Sequence, residues 1–247
     1  MTTNASNIQE LAAELFGAGL IRTWYRDRPA GWTLVSGIWS PFYIQLRPIV
    51  AYPALLKKIG QALAQLITDE IPGASRLVGI AMAGIPLAVA ASLESGLAAG
   101  YTRKQSAEDH GEHLAVEGEF RDGDRVVLVD DVVTRFDSKR VALDQVAEEA
   151  RRRAVEISCK DIVVIVDRAQ GGQAAAESAG VLVHSLLRLD AEGLELISSA
   201  LLGPELDVIR AYLQHPDEFQ DRGRQEEIAA LSKHGRTPSA HPRPDSG

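Results

Sequence analysis

The stretch VVLVDDVVTRFDSKR, residues 126–140, decides the fold of this chain. Its first four residues are apolar without any polar alternation, which predicts a strand that is buried on both faces. The strand runs straight into two acids, Asp130 and Asp131, and a short loop then leads to a helix predicted to begin near Ser138. A buried strand followed at once by a helix is typical of a parallel sheet covered by helices on two sides.

Similar patterns lie on both sides of this stretch. Apolar runs alternate with helical periodicity, so we predict an α/β fold with an open parallel sheet flanked by helices and joined by right-handed crossovers. The predicted strands are 77–81, 126–130, 162–167 and 181–186, and the predicted helices are 53–71, 85–95, 138–153 and 170–179. Ligands of such sheets bind at the carboxyl ends of the strands. We therefore expect the site at residues 82–84, 130–138 and 167–172.

The two ends of the chain have a different character. Short strand patterns at 32–34 and 42–46 flank the turn-like SGIWSP, which predicts a small N-terminal hood over about residues 1–50 beside the sheet. From residue 214 the chain is polar with little apolar periodicity. We therefore predict one domain over residues 1–213 and a disordered tail over 214–247.

Composition narrows the class of protein. With 45% hydrophobic residues among 247 the chain can bury a core, and its net charge of −8 without a long basic run argues against a nucleic-acid partner. The single cysteine, Cys159, excludes an internal disulfide and fits a reducing compartment. The start of the chain lacks the pattern of a secretory signal, so a cytoplasmic location is expected. Glycines and a proline interrupt the apolar stretch 77–93, which argues against a membrane span.

The acid pair points to a class of ligand. Two adjacent carboxylates repel each other unless a cation, a metal or a hydrogen-bonding diol lies between them. The loop that follows can direct backbone N–H groups and a helix N-terminus at an anion. Together these features predict a sugar phosphate site. The alternative is that the acids only end the strand and that Asp137 or Ser138 caps the helix.

At this point the chain resembles a family. VVLVDDVVT followed by a loop and a helix looks like the phosphoribosyl pyrophosphate (PRPP) signature of type I phosphoribosyltransferases. Further segments resemble the orotate phosphoribosyltransferase branch of that family. They are LVSGIWSPFYIQLR at 34–47, GIAMAGIPLA at 79–88, YTRKQSAEDHGEHLAVEGEF at 101–120 and VDRAQGG at 166–172. The resemblance implies a type I phosphoribosyltransferase-like fold and transfer of phosphoribose from PRPP to orotate, a step of pyrimidine nucleotide biosynthesis.

The resemblance also implies roles for individual residues. Arg103, Lys104 and His110 match catalytic positions on a mobile loop that reaches the neighbouring subunit's site, so a homodimer is implied. Phe42, Tyr43, Thr134 and Arg168 match positions that bind orotate. Magnesium is carried by PRPP, and no residue is expected to bind it directly. The positions that match PRPP-binding ones are Ala83, Gly84, Asp130, Asp131, Val132, Val133, Thr134, Arg135, Phe136, Asp137 and Ser138.

Departures from the family pattern leave an alternative open. Val35 stands where a lysine is expected, and Ala107 lies in a loop that has one residue more than usual and lacks its third cation. Phe136 and Asp137 replace small loop residues, which predicts crowding of the phosphate site and a repulsion of about 4 kcal/mol at about 4 Å. The alternative is an attenuated or inactive relative that binds ligands or regulates. A receiver-like phosphorelay module is a third reading, but the lysine it requires after a further strand is absent.

Overall fold

The computed structural model describes residues 5–34, 36–104, 115–134 and 136–232. The chain forms two compact units. The first unit is Tyr52–Arg188, and the second combines Ala5–Ala51 with the chain from Leu189 onward. Residues 189–213, which the sequence predicts to share one domain with the sheet, thus lie in the second unit.

Helices and strands alternate through most of the described chain. The helices are α1 (Ala5–Gly17), α2 (Pro53–Glu70), α3 (Gly84–Ser95), α4 (Asp137–Arg152), α5 (Gly172–Ser178), α6 (Ala191–Leu196), α7 (Gly203–Gln214) and α8 (Arg222–Leu231). The strands are β1 (Ile21–Thr23), β2 (Trp32–Thr33), β3 (Trp39–Ser40), β4 (Phe42–Ile44), β5 (Arg76–Gly79), β6 (Ala98–Thr102), β7 (Val116–Glu117), β8 (Arg125–Val133), β9 (Ser158–Asp167) and β10 (Leu182–Arg188). Short 3-10 helices lie at Arg47–Ala51, Ser198–Ala200 and Pro216–Phe219.

A six-stranded sheet organises the first unit, in the order β10-β9-β8-β5-β6-β7. The strands from β10 to β6 are parallel to their neighbours, and β7 pairs with β6 in the antiparallel direction. The central strands β8 and β9 consist mainly of buried valine and isoleucine, as their uninterrupted apolar runs predict. The predicted α/β fold with a largely parallel sheet is therefore confirmed.

Strands β6 and β7 are absent from the prediction. The sequence AAGYT of β6 has no apolar run and contains Gly100. A Cβ on Gly100 would lie 2.3 Å from the carbonyl oxygen of Glu117, so glycine is what lets the two strands approach each other.

The apolar stretch 77–93 forms β5, a turn and α3. None of the helices in the described ranges is both long and apolar enough to cross a membrane.

The second unit corrects the predicted tail. Residues that the sequence analysis expects to be disordered form the 3-10 helix at Pro216–Phe219 and α8, and the side chains of Phe219 and Ile228 are buried. The Phe219 ring stacks on Trp39 with centroids 6.4 Å apart, and the Gln220 side chain accepts from the Trp39 backbone N–H at 2.7 Å. Widely spaced apolar residues in a polar segment are thus sufficient to anchor it. Residues 233–247 lie outside the described chain.

Candidate functional site

The carboxyl ends of the parallel strands bring three predicted segments to one edge of the sheet. Gly79 at the end of β5 is level with Val129 of β8, and Val133 at the end of β8 is level with Asp167 of β9. The segments that follow these strands therefore share one edge, where the sequence places the turn at Ala83 and Gly84, the acids of β8, and Arg168. Phe42 and Tyr43 belong to the second unit.

The Asp130 carboxylate is buried and hydrogen-bonded to other groups of the protein. It is 6% exposed, and its Oδ1 accepts the backbone N–H of Asp131 at 2.9 Å. Its Oδ2 accepts from the ammonium of Lys139 at 2.8 Å. The buried carboxylate therefore has both oxygens hydrogen-bonded and its charge compensated, which is the condition for burying a charged group.

Asp131 is less buried than Asp130 and has a perturbed acidity. Its pKa is raised to about 6, chiefly because partial burial disfavours the charged form, and further because Asp130 lies beside it. The positive charge of Lys139 and the hydrogen bond from the Val132 N–H, at 2.8 Å, partly offset this rise. A carboxyl group whose pKa is raised in this way at the edge of a sheet is typical of a functional position.

Lys139 is the residue at this edge that the sequence analysis missed. Its ammonium donates to Asp130 Oδ2 and to the carbonyl oxygen of Val132, at 2.8 and 2.6 Å, and lies 3.3 Å from Ser138 Oγ. The side chain is only 4% exposed. A lysine is almost never fully buried unless it is paired. The sequence does contain an indication of this pair, because Lys139 follows the two acids closely and stands at the predicted start of the helix.

The structure corrects the expected crowding by Phe136 and Asp137. The Phe136 ring is 3% exposed and lies in the core cluster that contains Val133 and Val146, with the Arg140 guanidinium 5.8 Å from its centroid. Asp137 is an exposed residue in the first turn of α4. There an acid interacts favourably with the helix dipole, and solvent reduces its repulsion of an anion at about 4 Å to about 1 kcal/mol.

The turn between β5 and α3 approaches the acid-bearing strand closely. A Cβ on Gly84 would lie 2.0 Å from the carbonyl oxygen of Val129 and 3.2 Å from the Cα of Asp130. The Ala81 N–H donates to Thr102 Oγ1 at 2.9 Å, which ties the same turn to the end of β6. Glycine at position 84 is therefore required for packing against β8, a reason that the sequence analysis did not identify.

The base of the predicted mobile loop is fixed to the sheet and to α4. The Arg103 N–H donates to the Ala115 carbonyl at 3.0 Å, and the buried side chain of Gln145 donates to the Arg103 carbonyl at 2.9 Å. The Arg103 guanidinium pairs with Glu117 at 3.0 Å, whereas Lys104 is exposed. Of the two predicted loop cations that the structure describes, Arg103 is paired and Lys104 is exposed, and His110 lies outside the described residues.

The turn after β9 is packed against the end of β8. The Arg168 N–H donates to the Val133 carbonyl at 3.0 Å, and Asp167 accepts from the Ala169 N–H at 2.8 Å. A Cβ on Gly172 would lie 2.7 Å from Val133 Cγ2 and 3.1 Å from the Thr134 carbonyl oxygen. The last glycine of the VDRAQGG segment thus allows the turn to contact the loop at Thr134, and Arg168 lies at the same edge as the acids.

The two predicted aromatic residues differ in exposure. Phe42 is 2% exposed and contacts Tyr212 edge-on, with ring centroids 5.8 Å apart. Tyr43 is half-buried and stacks on Trp32 with centroids 5.9 Å apart. Phe42 is thus a core residue of the second unit, and Tyr43 has the more accessible ring of the pair.

Four positions singled out in the sequence lie outside the described residues, namely Val35, Ala107, His110 and Arg135.

The side chains at this edge of the sheet also decide whether the protein itself can hold a metal ion. Within the described ranges no three His, Cys, Asp or Glu side chains are grouped so as to hold a metal ion. Of the adjacent acids, Asp130 is compensated by Lys139, so the pair offers one uncompensated carboxylate, a poor site for a divalent cation held by protein alone.

Comparisons with known proteins extend over most of the chain. No family model matches it. The chain is 33% identical to the orotate phosphoribosyltransferase of Methanocella arvoryzae over 171 residues, which are 69% of this chain and 87% of that protein. It resembles the crystal structure of orotate phosphoribosyltransferase from Aeropyrum pernix with a TM-score of 0.61 at 26% identity, covering 76% of this chain and 98% of the other. It resembles the UMP synthase of Leishmania donovani with a TM-score of 0.66 at 29% identity, covering 83% of this chain and 42% of the other.

Proposed function

The chain belongs to the orotate phosphoribosyltransferase family, and from this premise we propose how its site carries out the reaction. The enzyme transfers phosphoribose from PRPP to orotate, a step of pyrimidine nucleotide biosynthesis. A ring nitrogen of orotate loses its proton to solvent or to the leaving pyrophosphate and bonds to C1 of the ribose, while the bond from C1 to the pyrophosphate oxygen breaks. The products are orotidine 5′-phosphate and pyrophosphate.

The observation that carries the placement of PRPP is the end of β8. An acid pair there is followed by the half-buried Thr134 and then by the N-terminus of α4, whose first-turn N–H groups suit an anion. We assign the ribose hydroxyls to the acids, the 5′-phosphate to the amides of residues 134–138, and the pyrophosphate to the turn at Ala83 and Gly84. Because the Phe136 ring lies in the core, its burial supports a phosphate site that this side chain does not fill.

Orotate is assigned to the arginine that follows β9. A guanidinium presents a planar pair of donors that matches a carboxylate, so Arg168 suits the orotate carboxylate, with Thr134 beside it on the neighbouring strand end. For stacking on the pyrimidine ring we assign Tyr43, since the Phe42 ring is buried against Tyr212.

The leaving group requires positive charge. As the bond to C1 breaks, pyrophosphate gains negative charge, and cations placed beside it stabilise the transition state more than the ground state. We assign this role to Lys104 with Arg103 and His110. Magnesium enters with PRPP as part of the substrate, where it neutralises pyrophosphate charge.

Turnover is tested by following orotate consumption with magnesium and PRPP. The wild type is expected to turn over, and the Asp131→Asn and Lys104→Ala variants to lose about 10²- to 10³-fold in kcat, the usual effect of removing one preorganised electrostatic group. Asp144→Asn, an exposed acid on α4, is the matched control and should behave as the wild type. A wild-type rate no higher than that of the Asp130→Asn, Asp131→Asn double variant would contradict the proposal and support an inactive binding protein.

We also propose that the chain acts as a cytoplasmic homodimer in which each loop serves the partner's site. The test mixes two inactive proteins, Lys104→Ala and Asp131→Asn, under conditions that exchange subunits. If the loop works in trans, a mixed dimer has one intact site, and activity returns to as much as about a quarter of the wild-type level by random pairing. A monomeric mass by light scattering, or no recovery on mixing although subunits exchange, would contradict it.

A further inference from the structure

Gln145 is a polar residue on the buried face of α4. Its side chain is 6% exposed, and Ala142 and Val146, which lie on the same face, belong to the core cluster. A polar group at such a position costs free energy unless it is hydrogen-bonded. Its partner is the carbonyl oxygen of Arg103, which accepts from Gln145 Nε2 at 2.9 Å. The side chain therefore links α4 to the residue that follows β6, where the predicted catalytic loop begins.

Gln145 is also the first of three polar residues that recur along α4. Glu149 and Arg153 follow it at intervals of four residues, a spacing that places all three on one face of the helix. The Glu149 carboxylate is 1% exposed and accepts from Arg153 Nε at 2.6 Å. Arg153 in turn donates to the carbonyl oxygens of Val116 and Gly118. This face of α4 thus holds the chain before the predicted loop through Gln145 and after it through Arg153.

The hydrogen bond from Gln145 bears directly on Lys104. A peptide unit is planar, and the Arg103 carbonyl belongs to the unit that also contains the nitrogen and the Cα of Lys104. The Arg103 N–H donates to the Ala115 carbonyl at 3.0 Å, so both backbone polar groups of Arg103 are hydrogen-bonded. Lys104 itself is exposed. The two hydrogen bonds therefore set the direction in which the backbone presents this exposed cation.

We propose that Gln145 is a positioning residue for the reaction, because it holds the peptide unit between Arg103 and Lys104 and so fixes the point from which Lys104 reaches the pyrophosphate. This inference rests on the proposed function, in which Lys104 stabilises the leaving group. A cation stabilises a transition state most when it is held in advance where the charge develops. Since a misplacement of about 1 Å can cost about 10²-fold in rate, loss of one of the two backbone hydrogen bonds should be visible in kcat.

The first measurement compares kcat with magnesium-PRPP affinity in Gln145→Met. Methionine has a similar length and no hydrogen-bond donor. We expect kcat to fall by about 10-fold and the Kd of magnesium-PRPP, measured by calorimetry, to change by less than about threefold, because Lys104 acts on charge that develops in the transition state. The matched control is Val146→Ala, a change at the neighbouring buried residue of the core cluster. It should lower the melting temperature and leave kcat within about twofold of the wild type.

A double-mutant cycle separates positioning from a structural role. If Gln145 acts through Lys104, Gln145→Met should lower kcat by less than about threefold in the Lys104→Ala protein, where the positioned group is already absent. In the Asp131→Asn protein, which keeps the lysine, the loss of about 10-fold should recur. If Gln145→Met does not fold by circular dichroism, Gln145→Asn takes its place, since it keeps an amide but is one methylene shorter and should not reach the Arg103 carbonyl.

Three results would overturn the inference while leaving the proposed function intact. They are a folded Gln145→Met protein with the kcat of the wild type, a loss of kcat by the same factor with and without Lys104, and a loss of kcat in Val146→Ala as large as in Gln145→Met. A wild type that does not turn over orotate with magnesium and PRPP would instead overturn the proposed function, and the inference with it.

Discussion

The acidity of Asp131 depends on its surroundings, and this dependence has a consequence for stability. Its pKa is raised from 3.8 to about 6, so the folded state binds more protons than the unfolded state between these values. The carboxylate therefore destabilises the fold above about pH 6, and this penalty disappears as the pH falls toward 3.8.

Asp131→Asn should raise the melting temperature at neutral pH, where the wild-type carboxylate is charged. The gain should shrink as the pH falls through 6 and vanish near 4, since both proteins are then neutral at this position. Calorimetry at a series of pH values checks this, with Asp144→Asn as an exposed control on α4. A gain that is equal at all pH values would contradict a raised pKa.

For Phe136, the family pattern and the packing of the core predict opposite effects of a substitution by glycine. Replacing it with glycine would restore the small residue that the family pattern favours, but it would also remove a buried ring from the core. We expect Phe136→Gly to lower the free energy of unfolding by about 3–5 kcal/mol, as for other buried aromatic truncations. Urea unfolding measures this, with Asp137→Gly, an exposed neighbour, expected to cost about 1 kcal/mol. A neutral or stabilising Phe136→Gly would mean that the ring does not occupy the core.

At the scale of elements, α4 connects the parts of the proposed site. Lys139 in its first turn binds Asp130, and Gln145 farther along binds the Arg103 carbonyl at the base of the loop. At its end Arg153 donates to the carbonyls of Gly118 and Val116. One helix thus positions the acids of β8 and the base of the predicted catalytic loop.

The turn that begins α3 gives a prediction at the same scale. A Cβ at position 84 would meet the backbone of β8 at 2.0 Å, and backbone cannot move aside as a flexible side chain can. Gly84→Ala should therefore push α3 from the sheet, destabilising the protein by about 1–3 kcal/mol and weakening PRPP binding. Thermal melts and calorimetry measure the two effects.

The matched control is Gly17→Ala at the end of α1, where an added Cβ meets nothing within 4 Å. It should be neutral or slightly stabilising. Equal melting temperatures of the two alanine variants would contradict the close approach of Gly84 to β8.

The elements that the sequence predicts well are those whose own residues determine them. The apolar runs of β8 and β9 and the periodicity of α2 indicate their structures without reference to the rest of the chain. Strand β6 depends instead on its partner, because Gly100 matters only through its approach to Glu117. The residues of the site divide in the same way, into those that the local sequence indicates and those that depend on packing. The acids of β8 are visible as a motif, whereas the burial of Lys139 and the direction of the Phe136 ring depend on packing.

At the scale of the whole molecule, distant parts of the sequence complete the second unit. The carboxylate of Glu205 is fully buried and accepts from Thr23 Oγ1 and from the guanidinium of Arg26. Leaving such a buried carboxylate without one of its hydrogen-bond donors commonly costs about 1–3 kcal/mol or more. The N-terminal segment therefore requires a part of the chain that follows the last strand of the sheet.

The same dependence makes residues 216–232 part of the fold rather than a dispensable tail. A chain that ends at His215 loses the buried Phe219 ring and the buried Ile228 side chain. Trp39 then lacks the ring that stacks on it. Truncating one buried phenylalanine costs about 3–5 kcal/mol, so this chain should melt at clearly lower temperature and show altered tryptophan fluorescence. A chain that ends at Ser232 retains these contacts and is the control, and Phe219→Ala should reproduce a large part of the loss. If the chain ending at His215 melts together with the control, residues 216–232 contribute no stability, and the boundary predicted from polarity alone would be the correct one.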